Sequence, residues 1–93
     1  MKAIRKKVGE PWEVIDIEND LSALQHEVGG YIEAVTLCDN MALIVDEEGI
    51  LKGKKYNTTL AGVHIVGTAL LVGVDGDDFC DVDTPILTYL GGI

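Results

Sequence analysis

Apolar and polar residues alternate along residues 12 to 17, where Trp12, Val14 or Ile15, and Ile17 recur, and residues 2 to 8 carry a similar pattern. Gly9-Glu10-Pro11 separates the two stretches, so together they predict a hairpin. From residue 20 the period changes. Leu21, Leu24 and Val28 recur at spacings of three and four, which places them on one face of a helix about two and a half turns long. Asn19 or Asp20 can cap its first turn, and Gly29 is placed to end it in a left-handed conformation.

Tyr31 to Leu37 is rich in β-formers, Cys38-Asp39-Asn40 reads as a turn, and Met41 to Val45 completes a second hairpin. The tight-turn residues Asp46-Glu47-Glu48-Gly49 predict that residues 50 to 52 return antiparallel to 41 to 45 as the third strand of a meander. Tyr56 to Thr59 reads as a polar loop. Val63 to Val72 is almost unbroken in apolar character, which predicts one long central strand covered on both faces. Asp75 to Asp78 turn the chain, and Thr84-Pro85 open a final short helix over Ile86, Leu87 and Leu90 before Gly91-Gly92. The expected fold class is α+β: a small, mostly antiparallel sheet with one or two short helices, in a single domain over residues 1–93.

Ninety-three residues make a core that is only just sufficient, and 47% of them are apolar. Mean hydropathy is +0.23 although 25% of residues are charged, so a homo-oligomer is the default expectation. No apolar run approaches the roughly 20 residues of a membrane span, and no h-region follows the first residues, so the expected location is the cytoplasm. Two cysteines, Cys38 and Cys80, are too few for a disulfide framework or a zinc site and are expected to be buried thiols. A net charge of −9 disfavours any nucleic-acid polymer as partner.

The charge is segregated. All seven cations lie in two clusters, Lys2, Arg5, Lys6 and Lys7, and Lys52, Lys54 and Lys55. If strand 2 to 8 lies near residues 50 to 55, they form one basic patch able to attract a small phosphate-bearing ligand. Lysines that keep exposed strand edges from pairing explain the clusters as well. Gly29-Gly30 and Gly67-Thr68 are open to two readings in the same way, as backbone donors to a phosphate or as a helix end and the relief of a crowded strand.

Catalytic chemistry finds little support. Gly49 to Lys54 falls one residue short of a phosphate loop and has Lys55 where a magnesium-binding hydroxyl belongs. Asp75, Asp77, Asp78, Asp81 and Asp83 lack the terminal Glu of a calcium loop. His26 and His64 have no ligand or relay partner at a recognisable spacing, and a cysteine nucleophile needs a histidine that sequence does not place. The expectation is therefore a protein without catalytic residues, metal or cofactor.

The segments Leu24 to Glu33, Ala42 to Gly49, and Ile65 to Ala69 with Val74 to Gly76 and Asp78 to Cys80 resemble a small domain-of-unknown-function family of bacteriophages and mobile elements of Gram-positive bacteria. The resemblance spans almost the whole chain, although Asp81 to Pro85 departs from it. It implies a phage accessory protein that acts in the host cell against a host defence. Two modes of action follow. In the first, the protein sequesters a small anionic nucleotide signal through Arg5, Lys7, Gly30, Tyr31, Lys52, Lys54, Asn57, Thr58 and Thr68. In the second, its acidic surface, Asp75 to Asp83 especially, occupies a basic site on a host protein, with DNA mimicry as the extreme form.

Overall fold

The computed structural model describes residues 1–90, and Gly91 and Gly92, expected to end the last helix, lie outside them. The elements are β1 (Lys2–Lys6), β2 (Glu13–Asp16), α1 (Leu21–Val28), β3 (Ile32–Cys38), β4 (Met41–Asp46), β5 (Tyr56–Leu60), β6 (Val63–Val66), β7 (Ala69–Asp75), β8 (Asp78–Cys80), a 3-10 turn (Thr84–Ile86) and α2 (Leu87–Leu90). The fold is α+β and its sheets are antiparallel throughout.

Both expected hairpins form, β1 with β2 and β3 with β4, and β7 joins them into a sheet of order β2-β1-β7-β4-β3. Gly73 pairs with Met41 on one side and Cys80 on the other, so β8 continues the line of β1 along the same flank of β7. Alternation then sorts the side chains into two cores. Ala3, Ala42, Ile44, Leu70 and Val72 point to one face and bury Leu24 and Val28 of α1. Ile4, Leu43, Ala69 and Leu71 point to the other and meet Trp12, Ile65, Val82 and Leu90. Each fully buried Leu or Ile contributes about 1.5–3 kcal/mol, and β4 and β7 supply most of them. The helix forms where its caps place it: Asp20 Oδ1 accepts the Ala23 N–H at 2.8 Å, and Gly29 ends it at φ +83°.

Four expectations give way. Val63 to Val72 is two strands, because Gly67 at φ +71° turns the chain out of one layer and into another. An apolar run reports burial, which β7 shows from Ala69 to Gly73 but β6 only at Ile65, and it does not report which layer each piece joins. Tyr56 to Thr59 is a strand and not a loop. It pairs with β6 through the two-residue Ala61-Gly62 turn, both at positive φ, and its polar character reflects an outer position in a two-stranded layer. Residues 50 to 52 form no strand. Glu47 to Gly53 is a coil of turns closed by the Lys52 N–H to Glu48 carbonyl and Lys54 N–H to Gly49 carbonyl bonds, so the expected meander stops at two strands. That coil leaves Ile50 and Leu51 more than four-fifths exposed. Cys38 is exposed rather than buried, its thiol 3.2 Å from Asn40 Oδ1, and Cys80 is half-buried.

Candidate functional site

Asp46 ends β4 on the face that carries α1, and its side chain is 1% exposed. A carboxylate there survives only with partners. Its Oδ2 accepts the ammonium groups of Lys52 and Lys54, each at 2.8 Å, and its Oδ1 accepts the Glu48 N–H at 2.9 Å. The same ammoniums reach the end of α1, Lys52 donating to the Gly29 carbonyl at 3.1 Å and Lys54 to the Val28 carbonyl at 2.7 Å. Cations there also answer the negative end of the helix dipole. Burial alone would raise the Asp46 carboxyl, but the bonds from Lys52, Lys54 and Glu48 outweigh it and hold the group far below the usual carboxylate range. The hydrogen bond to Asp46 in turn raises Lys52.

This lock accounts for the glycines beside it. A Cβ on Gly30 would overlap the Lys52 ammonium and lie 2.7 Å from Asp46 Oδ1. The N–H groups of Gly29 and Gly30 both bond to the Gln25 carbonyl, which takes them out of reach of a phosphate.

A cleft of about 210 Å³ opens beside the lock, lined by Gln25, Gly30, Tyr31, Glu48 and Lys52. Tyr31 is 66% exposed over it. Of the nine residues expected to bind a ligand, Gly30, Tyr31 and Lys52 meet here, and Lys54 stands behind them on Asp46. The others are elsewhere. Arg5 points to the α1 face, where both Glu27 oxygens accept from its Nη1 at 3.0 and 3.1 Å and Glu13 accepts from its Nε at 3.0 Å. Hydrogen bonds first to Glu13 and then to Glu27 raise the Arg5 guanidinium. Asn57 ties β5 to β1, accepting from the Lys6 ammonium at 2.7 Å and donating to the carbonyls of Lys6 and Gly67. Thr58 and Thr68 are half-buried, on β5 and in the link to β7, and Lys7 is exposed beyond the end of β1. One member of each cation cluster reaches the end of α1, Arg5 at Glu27 and Lys54 at the next residue's carbonyl, and both of these, like Lys52, are engaged by carboxylates. Around the cleft two ammoniums, Lys52 and Lys54, face two carboxylates, Asp46 and Glu48, and no net positive charge remains.

A second recess lies on the opposite face of the sheet. It is a groove of about 200 Å³ between the β3–β4 end of the sheet and β6, lined by the apolar Val35, Val45, Ile50, Val63, Ile65 and Val66 and by Glu33, Asp46, Glu47 and His64. Among the described residues no Lys or Arg lines it. His64 is held by its Nδ1, 2.8 Å from Thr59 Oγ1, which in turn is 2.7 Å from the Tyr56 hydroxyl. These groove residues were not among the sequence candidates. The available signals were the Glu33/Val35 alternation and an apolar Ile50-Leu51 pair inside a turn. The acidic Asp75 to Asp78 turn joins β7 to β8 at the other end of these strands. Among the described residues, no three His, Cys, Asp or Glu are grouped to hold a metal ion, and no helix is long and apolar enough to cross a membrane.

Helix, sheet and hairpin stacked in three layers define a small α+β domain with one recess on each side of its sheet. The chain belongs to the family described as Domain of unknown function (DUF3846), which matches residues 1–91. No curated protein and no solved structure matches it.

Proposed function

We propose that this protein is a non-enzymatic accessory protein of bacteriophages or mobile elements that counters a host defence, inside the host cell, by binding a basic segment of a host protein. The setting rests on the resemblance of the three sequence boxes. The mode of action rests on one observation: Glu33 and Glu47 flank an apolar groove that no Lys or Arg lines among the described residues. A concave apolar surface of one charge sign, on a chain of net charge −9, favours a cationic partner and speeds its arrival.

A second reading, sequestration of a nucleotide signal, is favoured by the exposed Tyr31 ring beside Lys52 in the other cleft. A base can stack on that ring and a phosphate can meet the ammonium. The phosphate must then compete with Asp46, which already holds Lys52 at 2.8 Å, and for that reason this reading ranks second.

One set of thermal melts separates the two. The probes are a panel of linear and cyclic nucleotides and an acetylated, amidated octapeptide of alternating Lys and Val. A ligand at 100 times its dissociation constant adds about 2.7 kcal/mol, a rise in melting temperature of about 10 °C or more for a domain of this size. The first reading expects the peptide to stabilise the protein and the Glu33→Lys/Glu47→Lys variant to lose that gain. Stabilisation by a nucleotide alone, abolished by Lys52→Glu, would overturn it in favour of the second.

A further inference from the structure

The layer that walls the groove is incomplete. Among the described residues β6 pairs with β5 and with no other strand, so its other edge has no strand partner, although Gly49 stands against its last residue, Val66. The two-residue Ala61-Gly62 turn makes Leu60 and Val63 the first hydrogen-bonded pair of that hairpin. Antiparallel alternation then turns the N–H and C=O of His64, in the next pair with Thr59, away from β5. These groups face the groove, and no other backbone partner is found for them among the described residues. The floor beneath is equally unfinished. Leu43 is fully buried under the hairpin, whereas Val35 and Val45, its neighbours on the same face, are only half-buried.

An open strand edge above an uncovered apolar floor is the arrangement that strand addition uses: main-chain hydrogen bonds give affinity and alternate side chains fill the space below. We infer that the groove receives an extended segment of the partner as a third strand beside β6. Apolar side chains of that segment settle on Val35 and Val45, and its Lys or Arg side chains reach Glu33 and Glu47. This rests on the reading of the groove as a protein-binding surface and adds how the partner is held. The charge decides the occupant. Pairing β6 with the β6 of a second copy would bring two sets of Glu33 and Glu47 together on chains of net charge −9, while a basic segment neutralises them.

The test uses the alternating Lys/Val octapeptide and two modified versions, one N-methylated at every Val and one at every Lys. In an added strand, the N–H groups facing β6 all belong to residues of one phase, so only one modification removes them. Calorimetric titration of the full chain at low salt should show one version bound at least about tenfold more weakly than the parent and the other bound nearly as well. Amide exchange read residue by residue should show the His64 N–H slowed by the parent peptide. If both versions bind as well as the parent while Glu33→Lys/Glu47→Lys abolishes binding, the protein-binding reading stands and strand addition falls. If the parent peptide does not bind, both fall. A dimer that protects the His64 amide without peptide assigns the edge to a second copy and overturns the inference.

Discussion

Replacing Asp46 by asparagine keeps the shape of the lock and removes its charge. In the native protein one carboxylate receives two ammoniums and a backbone N–H at 2.8–2.9 Å. The asparagine amide has a single acceptor oxygen, so its NH₂ faces either the two ammoniums that share Oδ2 or the Glu48 N–H that Oδ1 accepts, a donor set against donors in either case. Removing one partner of a buried ion pair costs about 3–5 kcal/mol when the other charge stays buried. Here the lysine side chains are 39% and 24% exposed and can turn to water, which lowers the expected loss to about 2–3 kcal/mol. For a domain of 60–100 residues that is a fall in melting temperature of roughly 10–20 °C, measurable by circular dichroism. The pH dependence supplies a second readout. The Asp46 carboxyl lies below its ordinary value of 3.8 in the folded protein, so on acidification the unfolded chain takes up the proton first. Its contribution is therefore complete above that value and is lost as the pH falls from there toward the folded value. The gap between wild type and Asp46→Asn should accordingly be widest near pH 7 and narrow below about pH 4. A loss under about 1 kcal/mol at pH 7, or a gap that stays constant down to pH 2, would refute the assignment of Asp46 as the ionised centre of this lock.

Two further outcomes are expected. Gly73→Ala should cost about 3 kcal/mol in a urea titration, because the added methyl would overlap the backbone carbonyl of Asp81, just past β8, and lie 2.8 Å from Cys80 Sγ; a loss below about 1 kcal/mol would show that β8 and the residue after it can shift. Arg5→Met should lower the melting temperature by only a few degrees, roughly the scale of part-exposed ion pairs, and most of that difference should vanish in 1 M salt as Glu13 and Glu27 are screened.

The nucleotide site expected from sequence rests on cations, and local reading does not supply the partners that those cations have in the fold. Lys52 and Lys54 are legible as charges, but their partner is Asp46 at the end of another element, and their second partners, the Val28 and Gly29 carbonyls, lie 26 and 23 residues away. Arg5 was likewise visible, and Glu27, 22 residues on, was not recognisable as the group that engages it. The groove was illegible for a related reason. Glu33, Val35 and Val45 lie on one hairpin and His64 on another, and nothing in either hairpin states that the second stacks over the first.

What the chain determined by itself was local. The β1–β2 and β3–β4 hairpins, α1 with Asp20 and Gly29 at its ends, and burial of residues 69 to 72 all follow from neighbours a few positions apart, because alternation, periodicity and capping act within that range. The tertiary structure decided the rest. It sent β6 and β7, one apolar run, to different sheets, and made a strand of the polar stretch 56–60. It also fastened β5 to β1 through Asn57 and Lys6, 51 residues apart, and Lys2 to Asp81 across 79. An apolar or charged side chain carries the requirement for burial or for a partner, but its own sequence does not say where the partner is. That is settled only when distant segments compete for the same two faces of one sheet.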